Sequence, residues 1–354
     1  MLELSFFIFI LLTLFYLSKQ RKTVAIPIIV AFIARFSLSL VVHLGWLAPP
    51  QTQADAVKFM GRASEWSRLD WSSIGQHLIP THSYVHSAVG ASIYKVFGES
   101  PLVLIFINVL LGTILVIITY DLANTLIGKQ RAKVVIWIVA LFPPAIIYSS
   151  VFLREVWGGV PFTLGLLYIA NWQQKENRNA LFYAVLCFIL ASFFHGAYAV
   201  SLLIILLFLW KNIFNAFYTF QAKITKKRFV ASFFISLILT ATVIGAVAGN
   251  VTLGSIGDVG NRVANPTSSA EDRLTRETSG GSEYPAFATG SPVAIPIRIM
   301  YLLFSPFPWD IRSPRHILGL IPAGVFLYIA ISIYRSRKLF KGRKDIMMIL
   351  AILG

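Results

Sequence analysis

Apolar runs about as long as a bilayer is thick recur along this chain, separated by short segments that carry most of its charge. A helix needs roughly 20 apolar residues to cross the hydrocarbon core, and only helices or closed barrels satisfy their own backbone there. Such runs lie at 2–17, 24–47, 101–122, 134–151, 156–172, 180–194, 198–215, 229–249 and 316–334. The chain ends on IMMILAILG, which reads as the start of a further span and so as a C-terminal truncation. The pattern predicts an all-α integral membrane protein, a polytopic bundle of about 9–10 transmembrane helices forming a single transmembrane domain over 1–354.

Composition agrees with a lipid solvent. Charged residues make up 13% of the chain, about half the share of a soluble domain. The net charge of +16 does not point to nucleic acid, because the basic residues sit in short runs between spans rather than along one polar face. The single cysteine, Cys187, excludes an intrachain disulfide and a cysteine-based zinc site. The first run lacks the basic start and small-residue cleavage site of a secretory signal. Lys19, Arg21 and Lys22 follow it instead, which puts that turn in the cytoplasm and the N-terminus outside. The same alternation assigns Lys129, Arg131 and Lys133, then Lys175 and Arg178, then Lys211 and 223–228, then 335–344 to the cytoplasm. Most acids, among them Asp55, Glu65, Asp70, Glu99, Glu155 and Asp310, fall on the opposite face.

Two outer segments are long enough to carry function. In the first, 48–100, Ala56, Phe59, Met60 and Ala63 share a helical face, with Trp66 and Trp71 beyond, as in a helix lying in the interface. The second, 250–315, contains the polar stretch NPTSSAEDRLTRETSGGSEYP and reads as a partly flexible loop. Its apolar, proline-broken part at 293–307 reads as an interfacial or re-entrant helix. Gly280 and Gly281 lack the flanking elements of a phosphate loop and read as a turn.

Several residues in the outer segments suit chemistry. Asp55 follows a span that ends in Pro49-Pro50. A carboxylate at that level can take a proton from an attacking hydroxyl or amine, and it also suits the first turn of a helix, where the dipole favours it. Lys58 and Arg62, at i+3 and i+7, share its face and could hold a phosphate. His82 and His86, spaced i and i+4 around Tyr84, have the spacing of a metal pair but no matching acid. They suit equally a polar cleft contacting phosphate and sugar. Arg154-Glu155 sits at a membrane edge, as a functional pair or as a mutual ion pair. His195 marks another outer turn, and Arg35 lies within the second span, where it pairs with a neighbour or snorkels.

Taken in order, these stretches resemble the GT-C superfamily of polytopic glycosyltransferases, in particular the protein-mannosyltransferase and aminoarabinose-transferase-like branch (family 39-like). The resemblance runs over roughly 24–210. It rests on Asp55, Phe59 and Ala63, then Pro80 and Tyr84, then Tyr94-Lys-Val-Phe-Gly98, then a second span with its basic turn, and then ALFPPAIIYSSVFLRE with Glu155 in the acidic position. The acidic motif here holds one acid where relatives commonly hold two.

The resemblance implies a multi-pass protein of the bacterial inner (cytoplasmic) membrane with its site on the periplasmic or extracellular face. There a sugar would pass from a polyprenyl-phosphate donor to a glycan, lipid or protein acceptor. It implies Asp55 as general base, with Lys58, Arg62, His82, Tyr84, His86, Arg154, Glu155 and His195 binding substrate. It names no cofactor and leaves a divalent metal open; nucleic acid is not a partner. An alternative is a polysaccharide (O-antigen or exopolysaccharide) polymerase using Arg262, Arg273 and Arg276 of the second outer segment. A transporter of lipid-linked glycan is a more distant one, because the spans are nearly uncharged and show no inverted repeat.

Overall fold

The computed structural model describes residues 2–47, 53–78, 84–175, 178–195, 198–219, 314–340 and 342–353, with separate positions between 297 and 311. Every regular element among them is helical. The chain divides into one unit of 1–260 with 344–354 and another of 261–343. The first holds α1 (Leu2–Gln20), α2 (Ala25–His43), α3 (Gln53–Ser67), α4 (Trp71–Leu78), α5 (Val85–Phe97) and α6 (Pro101–Ile127). It continues with α7 (Lys129–Leu141), α8 (Pro143–Ser149), α9 (Arg154–Lys175), α10 (Arg178–Phe194) and α11 (Ala199–Thr219). The second holds α12 (Pro314–Ser336), and the first resumes with α13 (Lys344–Leu353).

Four described helices are long and apolar enough to cross a membrane: Leu2–Gln20, Lys22–His43, Pro101–Ile127 and Gly319–Ser336. The expected span at 134–151 is a pair, α7 and α8, bent by 56° at the break before Pro143-Pro144; counted as one, it makes a fifth. The expected spans at 156–172, 180–194 and 198–215 are helical but fall short of that length or apolarity among the described residues. The expected span at 229–249 and almost all of the second outer segment lie outside the described residues. Leu4, Phe9, Leu12 and Phe15 leave a continuous apolar face of α1 exposed, which a soluble protein would have to cover and a lipid tail solvates. The described residues are all-α, and their long apolar helices fit a membrane-embedded protein.

The longest helix organises the first unit. Pro101 occupies the first turn of α6, where its missing N–H costs nothing. Gly128, at φ +84°, ends it in a conformation that other residues avoid. At 27 residues the helix is about 40 Å long. It is pinned to its neighbours at both ends. Glu3, at the start of α1, accepts a 2.9 Å bond from Ser100. Arg21, between α1 and α2, meets Asp121 at 2.8 Å. Lys19, Lys22, Lys129, Arg131 and Lys133 therefore gather at one end of the unit, and Glu3 and Glu99 at the other.

Three apolar clusters fill the unit. One lies among α1, α2, α6 and α7, around Ile28, Ala31, Val109 and Ile136. A second joins α9, α10, α11 and α13, around Ile169, Phe188, Ile205 and Met348. The third joins α3 and α5 to residues 151–153, around Phe59, Ala63, Tyr94 and Phe152.

Close approach of α8 to α6 depends on Gly112. A methyl group there would strike the side chain of Ser149, with Oγ only 2.8 Å away, and would lie 3.2 Å from Nε of Arg35. Gly112→Ala is therefore expected to destabilise the protein by about 1–3 kcal/mol in detergent unfolding. Gly159→Ala, whose methyl would meet only Leu115 at 3.7 Å, should be neutral or stabilising because alanine favours the helix. Equal effects of the two substitutions would refute this packing.

Candidate functional site

The site begins with a stretch of chain that is not helical. Between α8 and α9, residues 150–153 leave the helical ladder while Val151, Phe152 and Leu153 are buried. Their polar groups therefore need partners from elsewhere. Asn108 on α6 supplies them: its side-chain amide donates to the carbonyls of Val151 at 2.5 Å and Leu153 at 3.1 Å. Its oxygen accepts the indole N–H of Trp157 at 2.5 Å. Ser150 donates to the backbone carbonyl of Arg35 at 3.0 Å. Held in this way, the segment delivers Arg154 and Glu155 as the first turn of α9.

Opposite stands α3, whose periodicity puts Ala56, Phe59 and Ala63 on the buried face. Asp55 occupies its first turn and is exposed. The ring of Phe59 is the hub. Tyr84 lies 6.1 Å from it and His86 5.5 Å, both edge-on. The Arg154 guanidinium lies 5.6 Å from its centre. Arg62 lies 3.4 Å and Lys58 5.7 Å from the centre of the Tyr84 ring. Lys58 and Arg62, from the expected face of α3, thus converge on Tyr84, and Arg154 reaches Phe59 from α9. Asp70 caps α4, accepting from Ser72 and Ser73 at its start.

Charges in this group feel one another. Burial pushes the Glu155 carboxyl up, and repulsion from Asp55 adds to it, against the pull of Arg154 and of a backbone hydrogen bond. Arg154 Nε stands 3.8 Å from Glu155 Oε1, an ion pair too long for a hydrogen bond. Glu155 Oε2 is buried without a donor among the described residues. Burial acts to raise the Tyr84 hydroxyl, but hydrogen bonding and charge from Lys58 and Arg62 outweigh it and hold it below its usual range. Among the described residues no group of three or more side chains could hold a metal ion.

The histidines fare differently. His82 lies outside the described residues. His86, expected along a polar cleft, is fully buried in an aromatic cage, stacked on Phe152 at 3.8 Å with Trp157 edge-on at 5.3 Å. Neither of its ring nitrogens has a hydrogen-bond partner among the described residues. His195 is half-buried, with its ring 5.8 Å from Tyr198, which stacks on Phe162 of α9. Asn108, Phe152 and Trp157 complete the group and were not singled out from the sequence. A lone amide within the apolar run IFINVLLG was the one signal for Asn108, whereas apolar Phe152 and Trp157 look like any core residue.

Burial holds His86 well below its ordinary value, and the nearby charge of Arg154 adds to this. A histidine that the fold keeps neutral contributes stability that is complete above the unfolded value of about 6.5 and is lost as pH falls below it. The thermal midpoint is expected to drop between pH 7.5 and pH 5.5, and His86→Phe should remove part of that drop. An unchanged pH dependence in the variant would show that the imidazole is not held neutral. Comparison of this chain with family models, curated proteins and solved structures gives no match.

Proposed function

We propose that this protein is a membrane glycosyltransferase of the GT-C type. In this proposal it moves a sugar from a polyprenyl-phosphate donor to an acceptor at the non-cytoplasmic face of the cytoplasmic membrane. One observation carries the reading. The first turn of α3 carries an exposed carboxylate, Asp55, followed at i+3 and i+7 by Lys58 and Arg62, and Arg154 in the first turn of α9 reaches the Phe59 ring of the same helix. A carboxylate and a cation cluster together suit a displacement in which a proton leaves the nucleophile while negative charge grows on a departing phosphate. Charge supports this sidedness: the Lys- and Arg-rich turns gather at the opposite end of α6, and such turns commonly face the cytoplasm.

In this reaction the acceptor hydroxyl attacks the anomeric carbon, whose bond to the phosphate oxygen breaks. Asp55 takes the hydroxyl proton. The bond's electron pair leaves with the polyprenyl phosphate, whose added charge Lys58, Arg62 and Arg154 stabilise. Attack from the face opposite the phosphate inverts the anomeric centre. Glu155, raised by burial and by Asp55, keeps its proton to higher pH than an ordinary glutamate. Its buried Oε2, which has no donor among the described residues, can accept from a hydroxyl of the sugar or acceptor. Tyr84, pinned under Arg62, forms the wall behind the phosphate. A lipid-linked donor suits the setting, since its tail can lie along the exposed apolar helices while its head group reaches this level.

Membranes carrying the protein, incubated with radiolabelled polyprenyl-phosphate sugars, should transfer label to endogenous acceptor. Asp55→Asn should lower the rate by about 10²–10⁴-fold without loss of protein from the membrane. Transfer by Asp55→Asn at the wild-type rate would refute Asp55 as the base.

A further inference from the structure

Arg35 is 1% exposed and lies midway along a membrane-spanning helix. Ion pairs between described residues join Arg21 to Asp121, Arg68 to Glu99 and Arg154 to Glu155, and none of these includes Arg35. Its guanidinium donates instead to three backbone carbonyls: Ala31 at 2.9 Å and Ala140 at 3.0 Å through Nη1, and Val139 at 3.4 Å through Nη2. Two of these carbonyls belong to the last turn of α7.

The register of those two acceptors is informative. In an α-helix the carbonyl of residue i accepts from the N–H of residue i+4. Val139 would therefore be served by residue 143 and Ala140 by residue 144. Both are proline and have no N–H to give. We propose that the Arg35 guanidinium stands in for the two amide hydrogens that Pro143 and Pro144 lack, and thereby holds the break between α7 and α8 closed to lipid.

A guanidinium suits this task. It is a planar fork of five donors that can serve two adjacent carbonyls at once, which a lysine ammonium on a flexible stem does poorly. Its charge is balanced by the partial negative charge at the C-terminal end of α7. Without it the two carbonyls would face a medium that offers no water, where each unsatisfied group is costly. The break matters because the chain beyond it, through Ser149 and Ser150, leads into the segment that carries Arg154 and Glu155. The inference is independent of the proposed enzymatic activity, since it concerns backbone donors alone.

The test is a stability cycle on the full chain in detergent. Arg35→Leu is expected to lower the thermal midpoint by roughly 5–10 °C, and Arg35→Lys to recover less than half of that loss. Pro143→Ala with Pro144→Ala returns the two amide hydrogens. Combined with Arg35→Leu, this pair should restore most of the midpoint. Additive effects, or full recovery by Arg35→Lys, would overturn the inference. If Arg35→Leu alone fails to accumulate in the membrane, accumulation of the triple variant supports the proposal and its absence overturns it.

Discussion

The candidate site depends on four residues that are not helical in a part of the molecule where backbone has little else to bond to. Residues 150–153 interrupt the helices near the N-terminal end of α6, where Asn108 lies. In water a buried unpaired carbonyl costs about 1–3 kcal/mol, and irregular backbone at membrane depth survives only when protein groups satisfy it. Asn108 meets that demand with two donated bonds and at the same time anchors Trp157. Phe152, the stacking partner of His86, and Arg154, which reaches over Phe59, both hang from this segment. One amide on α6 thus couples the backbone path to the aromatic cage and to the charged rim.

The parts that follow from local pattern were legible in the sequence. Long apolar runs gave α1, α2, α6 and α12, because span length is set by the bilayer and not by tertiary contacts. The i, i+3, i+7 spacing of Asp55, Lys58 and Arg62 placed them on one face, and the buried face of α3 is the expected one. Other features depend on partners far along the chain. Nothing in the spacing connects Phe59 with Arg154, which meet only because α3 and α9 are brought together around α5 and α6. The break in 134–151 was written in Pro143-Pro144, yet whether such a pair ends a span or bends it depends on the donors available across the bundle. His86 shows the opposite limit. A histidine between Tyr84 and a run of small residues suggests a polar cleft, and here it is claimed by three aromatic rings.

Aromatic and cationic groups share the work at the rim. Lys58 and Arg62 flank Tyr84, Lys95 reaches the Trp71 ring and the carbonyls of Ser67 and Leu69, and Trp66 stacks on His77 at 4.0 Å. Such contacts hold α3, α4 and α5 together while leaving polar atoms free to face outward. They suit a surface where water and lipid meet, since both rings and long cationic stems have an apolar body and a polar tip. The opposite end of the unit is marked instead by basic turns, so its two ends differ in charge.

The central claim is that Asp55 stands at the non-cytoplasmic surface beside a place for a lipid-linked phosphate. It can be tested by replacing Cys187 with serine, introducing Asp55→Cys as the sole thiol, and exposing intact cells to a membrane-impermeant maleimide. The account predicts labelling without permeabilisation, slowed when a short-chain polyprenyl phosphate is supplied. Labelling that begins only after the membrane is opened would put Asp55 on the cytoplasmic side and contradict the account.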